Sequence, residues 1–257
     1  MPTLSFIVPA YGESPYLEKC IQSLCNQTHS NEIIITTSTP NQLVSKIAES
    51  HNVQLLTHTN GGSIAKDWNY AIKQGSGDLI VLAHQDDLYE PSFSSEFIQF
   101  YKHNLSSGII FSQINELVND RLVKNGKREM VKNILRKFAF GEKKTISDSD
   151  CYRRLLGFGC AIPCPAVAFT KGVARNLTFS DQFSVNLDWN TWSDLAAKGV
   201  PFGYISKPLM SHRIHPEAET QLGIIEKRRE KEDYQLFLRY WPKPIAQLLL
   251  VFYKFGY

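Results

Sequence analysis

Short apolar runs alternate along the chain with stretches in which apolar residues recur every three or four positions. Leu4 to Val8 is the first run and predicts a strand, closed by Pro9 and Gly12. Ser14-Pro15, a capping residue and a first-turn proline, opens a helix. Tyr16, Leu17, Cys20, Ile21, Leu24 and Cys25 then recur at helical spacing as far as Gln27. Ile33-Ile34-Ile35-Thr36 is β-branched and predicts a second strand; a helix over 41–50 and a third strand over 53–57 follow. Asn60-Gly61-Gly62-Ser63 turns into a helix with Ile64, Ala65, Trp68, Ala71 and Ile72 on one face, ended by Gly75-Ser76-Gly77. A fourth strand, Leu79 to Ala83, precedes a helix over 91–103 and a fifth strand over 108–112.

Strands alternating with helices call for an α/β domain with a mostly parallel sheet covered on both faces. Such sheets bind ligands beyond the carboxyl ends of their strands. Three polar clusters fall there: Pro9-Ala10-Tyr11-Gly12-Glu13, Thr37-Ser38-Thr39 and His84-Gln85-Asp86-Asp87. They are distant in sequence and are expected to converge.

The second half is less regular. Residues 121–144 hold nine Lys/Arg against two Glu. Within them Met130, Val131, Ile134, Leu135 and Phe138 form a helical stripe, with Lys132, Arg136 and Lys137 facing away. Such a segment suits a docked helix, a mobile lid, or an interfacial helix at an anionic membrane. Residues 226–233, EKRREKED, read as a solvated helix face. The tail from Tyr240-Trp241-Pro242 to Phe255 mixes aromatics with Lys and suits either packing on the domain or a membrane surface. The expected organisation is a ligand-binding half over 1–112, a second half of the same domain over 113–220, and a helical, aromatic tail over 221–257.

The totals narrow this little. The 257 residues are 43% hydrophobic and 21% charged, with a net charge of +3, too small to imply nucleic acid. The five cysteines are odd in number and form no CxxC, which points to reduced, buried thiols; Cys160-x-x-x-Cys164 is a weak metal pair. The N-terminus lacks a signal-peptide pattern, and Leu248 to Tyr253 falls far short of the about 20 residues a spanning helix needs. A cytoplasmic protein, at most peripheral at the inner membrane face, is expected.

Residues 4–90 resemble the inverting family-2 glycosyltransferases, which have the GT-A fold. The ordered matches are Ile7-Val8-Pro9-Ala10-Tyr11-Gly12-Glu13, Ser23-Leu24-Cys25-Asn26-Gln27-Thr28, Glu32-Ile33-Ile34-Ile35, Asn60-Gly61-Gly62, Asp67-Trp68-Asn69, Gly77-Asp78 and His84-Gln85-Asp86-Asp87. Further on, Leu187-Asp188-Trp189-Asn190-Thr191-Trp192 and Arg213-Ile214-His215 resemble the family's acidic and Arg-x-His segments. The resemblance implies a nucleotide diphosphate sugar as donor, UDP first, with Mn²⁺ or Mg²⁺ and a saccharide or lipid-linked acceptor.

It also implies roles. Asp86 would hold the metal, with His215 as a further ligand, and Asp87 would share the ion or hold a ribose or sugar hydroxyl. His84 stands where the family more often has an acid, and would contact ribose or diphosphate or merely fill space; Gln85 lies in the same nucleotide-sugar-binding motif. Tyr11 would stack on the base between Pro9 and Glu13. Thr37 falls where the family has an Asp that receives the uracil N–H. Lys66 or Asp67 would reach the nucleotide or sugar, and Arg213 the diphosphate. Asp188 would be the general base, its pKa raised by partial burial, although Leu187 precedes it where the family often has Glu. Trp189 and Trp192 would wall the acceptor or pack in the core. A nucleotidyltransferase would want a basic loop after strand one, which Pro-Ala-Tyr-Gly-Glu is not. A non-catalytic sugar-nucleotide-binding or scaffold protein is the alternative from another class, since His84, Thr37 and Leu187 all replace acids.

Overall fold

The computed structural model describes residues 1–59, 61–124, 126–215 and 228–255. Asn60, the end of the 113–220 stretch and residues 226–227 of the mixed-charge run lie outside the described residues.

One mixed sheet organises the chain. Its strands are β1 (Leu4–Ala10), β2 (Glu32–Thr37), β3 (Gln54–Thr57), β4 (Leu79–Leu82), β5 (Leu88–Tyr89), β6 (Ile109–Val118), β7 (Arg121–Val123), β8 (Thr145–Ile146), β9 (Val167–Thr170) and β10 (Phe202–Ile214), in the order β3-β2-β1-β4-β9-β6-β10-β5. β7 hangs on β6 and β8 on β10. β3, β2, β1 and β4 are parallel, as are β6 and β10; β9 runs antiparallel between β4 and β6. The α/β, mostly parallel sheet expected from the alternation is therefore present, with β9 and β10 of the second half completing it.

Pro9 does not close β1, which runs on to Ala10. The β4 ladder stops at Ile7, so the missing Pro N–H deprives no partner on that side. The helices are α1 (Leu17–Cys25), α2 (Gln42–Ser50), α3 (Ile64–Ala71), α4 (Phe93–His103), α5 (Lys127–Phe140), α6 (Ser149–Leu156), α7 (Lys171–Asn176), α8 (Leu187–Ala197), α9 (Arg228–Phe237) and α10 (Lys243–Lys254). α1 begins three residues after Ser14, whose Oγ instead accepts the Tyr16 N–H. Gln27 lies past its end and ties α1 to α4: its amide donates to Ser23 O and Glu90 O and accepts from Ser94 N.

Each face of the sheet carries its own core. α1, α2 and α4 cover one with Leu17, Leu24, Ile47, Phe93 and Phe97; α3, α6, α8 and α9 cover the other with Ala65, Tyr152, Trp189, Trp192 and Phe237. Trp189 and Trp192 are fully buried, which removes them from any acceptor wall. Trp189 donates its indole N–H to Leu156 O and meets Phe237 edge-on; Trp192 tilts against Phe169.

Two charged stretches depart from expectation. α5 is inside out: Arg136 and Glu129 are buried, while Met130, Val131, Ile134 and Phe138 stand in solvent. The burial is tolerated because Arg136 Nε donates to Ala161 O and its Nη1 to Glu129 and Asn133, although Nη2 is buried without a partner. In α9, Glu232 and Asp233 are buried rather than solvated.

Trp189→Ala is expected to lower stability by about 3–5 kcal/mol. Urea denaturation reads this loss, which rules the residue structural.

Candidate active site

The carboxyl ends of β1, β2 and β4 meet the far end of β10. Sequence-distant loops are sewn together there by backbone bonds. Gln85 clasps Tyr11 both ways, its Oε1 accepting the Tyr11 N–H and its Nε2 donating to Tyr11 O. Gly12, in left-handed backbone at φ +61°, donates to Thr39 Oγ1, and Asn41 donates to Gly12 O. The Tyr11 ring remains 63% exposed, and Glu13 is exposed beside it. Pro9, half-buried, supports this loop from β1.

Asp86 and Asp87 differ sharply. Asp87 is fully buried; its carboxylate accepts the Arg213 N–H at 2.8 Å and faces His212 Nδ1 at 3.1 Å. It joins the turn after β4 to β10. Asp86 is partly open and meets His215 Nε2 at 2.9 Å. Burial opposes ionisation of Asp86, but the His215 bond and the nearby His84 and His212 outweigh it and hold its carboxyl below the usual range. His84 completes a group in which one ligand atom each from His84, Asp86 and Asp87 lies within 4.8 Å of the others. Its ring tilts on Trp68 at 5.1 Å, and its Nε2 is buried without a hydrogen-bond partner. Burial lowers its pKa despite the two aspartates, so the ring is neutral and able to ligate.

Strand period explains the β10 end. Arg213 and His215 share a face, and both lie on Tyr16, the guanidinium 4.4 Å from the ring centroid and the imidazole 5.1 Å. The Arg213 side chain is buried and holds Asp86 O and Asp120.

Asp188 sits in the first turn of α8, where its Oδ1 accepts the Trp189 N–H at 2.7 Å. Burial raises its pKa, against that bond and the charges of Lys132 and Arg229. The start of α8 is built by residues that sequence reasoning missed. Glu232 of α9 accepts N–H bonds from Ser184, Val185 and Asn186, and Asp233 accepts from the Asn186 amide. In sequence the two acids vanish into a run of mixed charge. His212 was also missed, although its place two positions from Ile214 and one from Arg213 puts it on the opposite face of β10 from His215.

Thr37 is buried and accepts the Thr39 N–H, closing its own turn; it is not open to a base. Asp67 of α3 stands nearby. A Cβ on Gly61 would lie 2.5 Å from Ser38 Cβ and 3.6 Å from Asp67 Oδ1, so α3 approaches the β2 end closely there. Asp67 Oδ1 is buried without a hydrogen-bond partner, 3.5 Å from His58 Nε2. Lys66 is exposed and lines a separate depression with Thr59, Asn69 and Tyr70. All five cysteines are free, and burial pushes the Cys160 and Cys164 thiols up, away from metal-binding thiolates.

A mixed sheet of this order, with an aspartate pair after the fourth strand and an acid on a later helix, defines the GT-A class of α/β fold. Residues 5–155 match the model of glycosyl transferase family 2, and the chain belongs to that family. It is 24% identical over 257 residues to an uncharacterized glycosyltransferase of Rickettsia typhi, covering 98% of this chain and 76% of that one. S. aureus TarS 1–349 in complex with UDP-GlcNAc superposes with a TM-score of 0.69 at 14% identity, covering 96% of this chain and 70% of that one. The mannosyltransferase PcManGT of Pyrobaculum calidifontis, in complex with GDP-Man and Mn²⁺, does so at 0.66 and 17%, covering 96% and 68%. The chain spans only 27–41% of the length of the other curated relatives it matches.

Glu232→Ala strands three N–H groups at the head of α8. It is expected to cost about 3 kcal/mol in urea denaturation.

Proposed function

We propose that the protein transfers a sugar, with inversion, from a nucleotide diphosphate sugar to a saccharide or lipid-linked acceptor. A UDP-sugar is the favoured donor. The task would be building a bacterial surface polysaccharide or glycolipid at the cytoplasmic face of the membrane. The observation that carries this reading is the meeting of exposed Tyr11, the Asp86–His215 pair and a partly buried Asp188 of raised pKa at one end of the sheet. Residues 1–112 would hold the donor, and 113–220 would shape the acceptor side.

A hard divalent cation, Mn²⁺ or Mg²⁺, fits the group His84, Asp86 and Asp87, whose ligand atoms lie within 4.8 Å of one another, with His215 bonded to the partly open Asp86. Asp87, held by Arg213 N–H and His212, would be the buried, fixed member of that group. When bound, the ion would neutralise the leaving diphosphate as a Lewis acid. Tyr11 stacks on the base. Asp67, whose buried Oδ1 has no hydrogen-bond partner, takes over from Thr37, engaged in its own turn, the acceptance of a base N–H. Asp188 removes the acceptor hydroxyl proton as that oxygen bonds to the anomeric carbon. The carbon's bond to the diphosphate oxygen breaks on the opposite face, which inverts the centre. Burial makes Asp188 a stronger base than an exposed carboxylate.

Calorimetric titration with UDP, GDP and dTDP, with and without Mn²⁺, tests the donor site. UDP is expected to bind best, to need the metal, and to lose that dependence in Asp86→Ala. Asp67→Ala is expected to weaken UDP about tenfold. Tight binding of UDP with no metal effect would remove Asp86 from this role.

Asp188→Asn is expected to lower turnover about 10²–10⁴-fold while leaving UDP affinity intact. Turnover unchanged in this variant would remove Asp188 as the base. No turnover with any donor, despite UDP binding, would favour the non-catalytic alternative. The sign of the pH dependence follows from the raised pKa. The protonated, inactive form persists to higher pH than for an ordinary carboxylate, so the acid limb of the kcat profile lies above the usual range near 4 and disappears in Asp188→Asn.

A further inference from the structure

α5 presents the wrong face to solvent for a helix of a globular domain. Met130, Val131, Ile134 and Phe138 are between 54% and 65% exposed. At about 100° per residue they fill one sector of the helix, with Lys127 inside it and Lys137 at its edge. The buried Arg136–Glu129 pair fixes this orientation from the other side. α10 repeats the pattern. Ile245, Leu248, Val251, Phe252 and Phe255 form a stripe 41–84% exposed, while Ala246, Leu249, Leu250 and Tyr253 pack inward.

α6 links the two stripes. Its Arg154 guanidinium lies over the Phe138 ring at 5.0 Å, and Arg153 lies over Trp241, just ahead of α10, at 5.5 Å. Trp241 in turn meets the exposed ring of Phe158 at 5.1 Å. Patches of this kind mark an interaction surface.

We propose that α5, α6 and α10 form one face that docks the protein on an anionic lipid surface. Charge selects this occupant. Arg136 and Glu129 are paired inside and Lys132 turns inward, which leaves Lys127, Arg128, Lys137, Lys143 and Lys144 exposed on α5 and the turn after it, against Glu142. The acids near that face are paired with its own cations: Asp148 and Asp150 lie 3.7 and 3.2 Å from Lys143 and Arg153, and Glu230 lies 2.7 Å from Lys254. A second copy of the same face would set these cations against each other. Anionic headgroups satisfy them while the acyl boundary takes the apolar stripe. Lys132, on the inner side of α5, acts on the charge of Asp188, so the face borders the candidate site. The inference depends on the proposed function only for that orientation. Vesicle binding is measured without donor or acceptor, so failure of either idea is seen separately.

The test is co-sedimentation of the purified chain with vesicles of phosphatidylcholine alone and with about 30% phosphatidylglycerol. Binding is expected only to the anionic vesicles and is expected to fall in about 0.5 M salt. Ile134→Ser/Phe138→Ser, Val251→Ser/Phe252→Ser and Lys127→Glu/Lys137→Glu are each expected to weaken it about tenfold or more, with UDP affinity and melting temperature unchanged. No binding to anionic vesicles overturns the proposal. So does binding that survives all three double variants. A dimer in sedimentation equilibrium that Ile134→Ser/Phe138→Ser dissolves would give the face to a second copy instead.

Discussion

The carboxylate of Asp87 holds the candidate site together. Buried without water, a lone carboxylate costs several kcal/mol, and the cost is met only where donors converge on it. The Arg213 amide and His212 supply them from β10, 126 and 125 residues away in sequence. Everything at that end of the sheet follows from this knot. Arg213 is placed to grip the Asp86 carbonyl, and the strand's alternation brings His215 to the Asp86 side chain. Without the knot, Asp86 and His215 would belong to unrelated loops.

The site also separates two carboxylates by environment. Asp86 sits among histidines that hold its carboxyl below the usual range; Asp188 is partly buried, and that burial raises its pKa against the nearby cations. Groups whose surroundings drive their pKa values apart are suited to different tasks, one to hold a cation and the other to exchange a proton. Lys132 reaches Asp188 electrostatically from the same helix that turns its apolar stripe outward.

The parallel half of the sheet was plain in the sequence, because strands buried on both faces are written as continuous apolar runs: Leu4 to Val8, Ile33 to Ile35, Leu79 to Leu82. The convergence of Tyr11, Gln85 and Asp86 was legible for the same reason, since parallel strands deliver their carboxyl ends to one edge. What escaped was set by distant partners. β9 lies antiparallel between β4 and β6, a choice made by pairing rather than by its own four residues. Glu232 looks solvated until the N–H groups of 184–186 are placed against it. Trp189 and Trp192 carry no mark that tells core from ligand wall. α5 shows the limit of periodicity most clearly. Its stripe is legible in the sequence, but which side faces inward depends on the partners that Arg136 finds inside, Glu129, Asn133 and Ala161 O.

The span of the Asp87 knot has a consequence for how the protein is made. Residues 4–82 can pair as four parallel strands soon after they leave the ribosome. Asp87 must then wait for His212 and Arg213, about 10 s later at ordinary rates of synthesis. Until residues 167–170 are made β4 has no β9 beside it, and an open strand edge is exposed next to an unneutralised acid. The charge that later fixes the site meanwhile discourages that edge from pairing with another nascent chain.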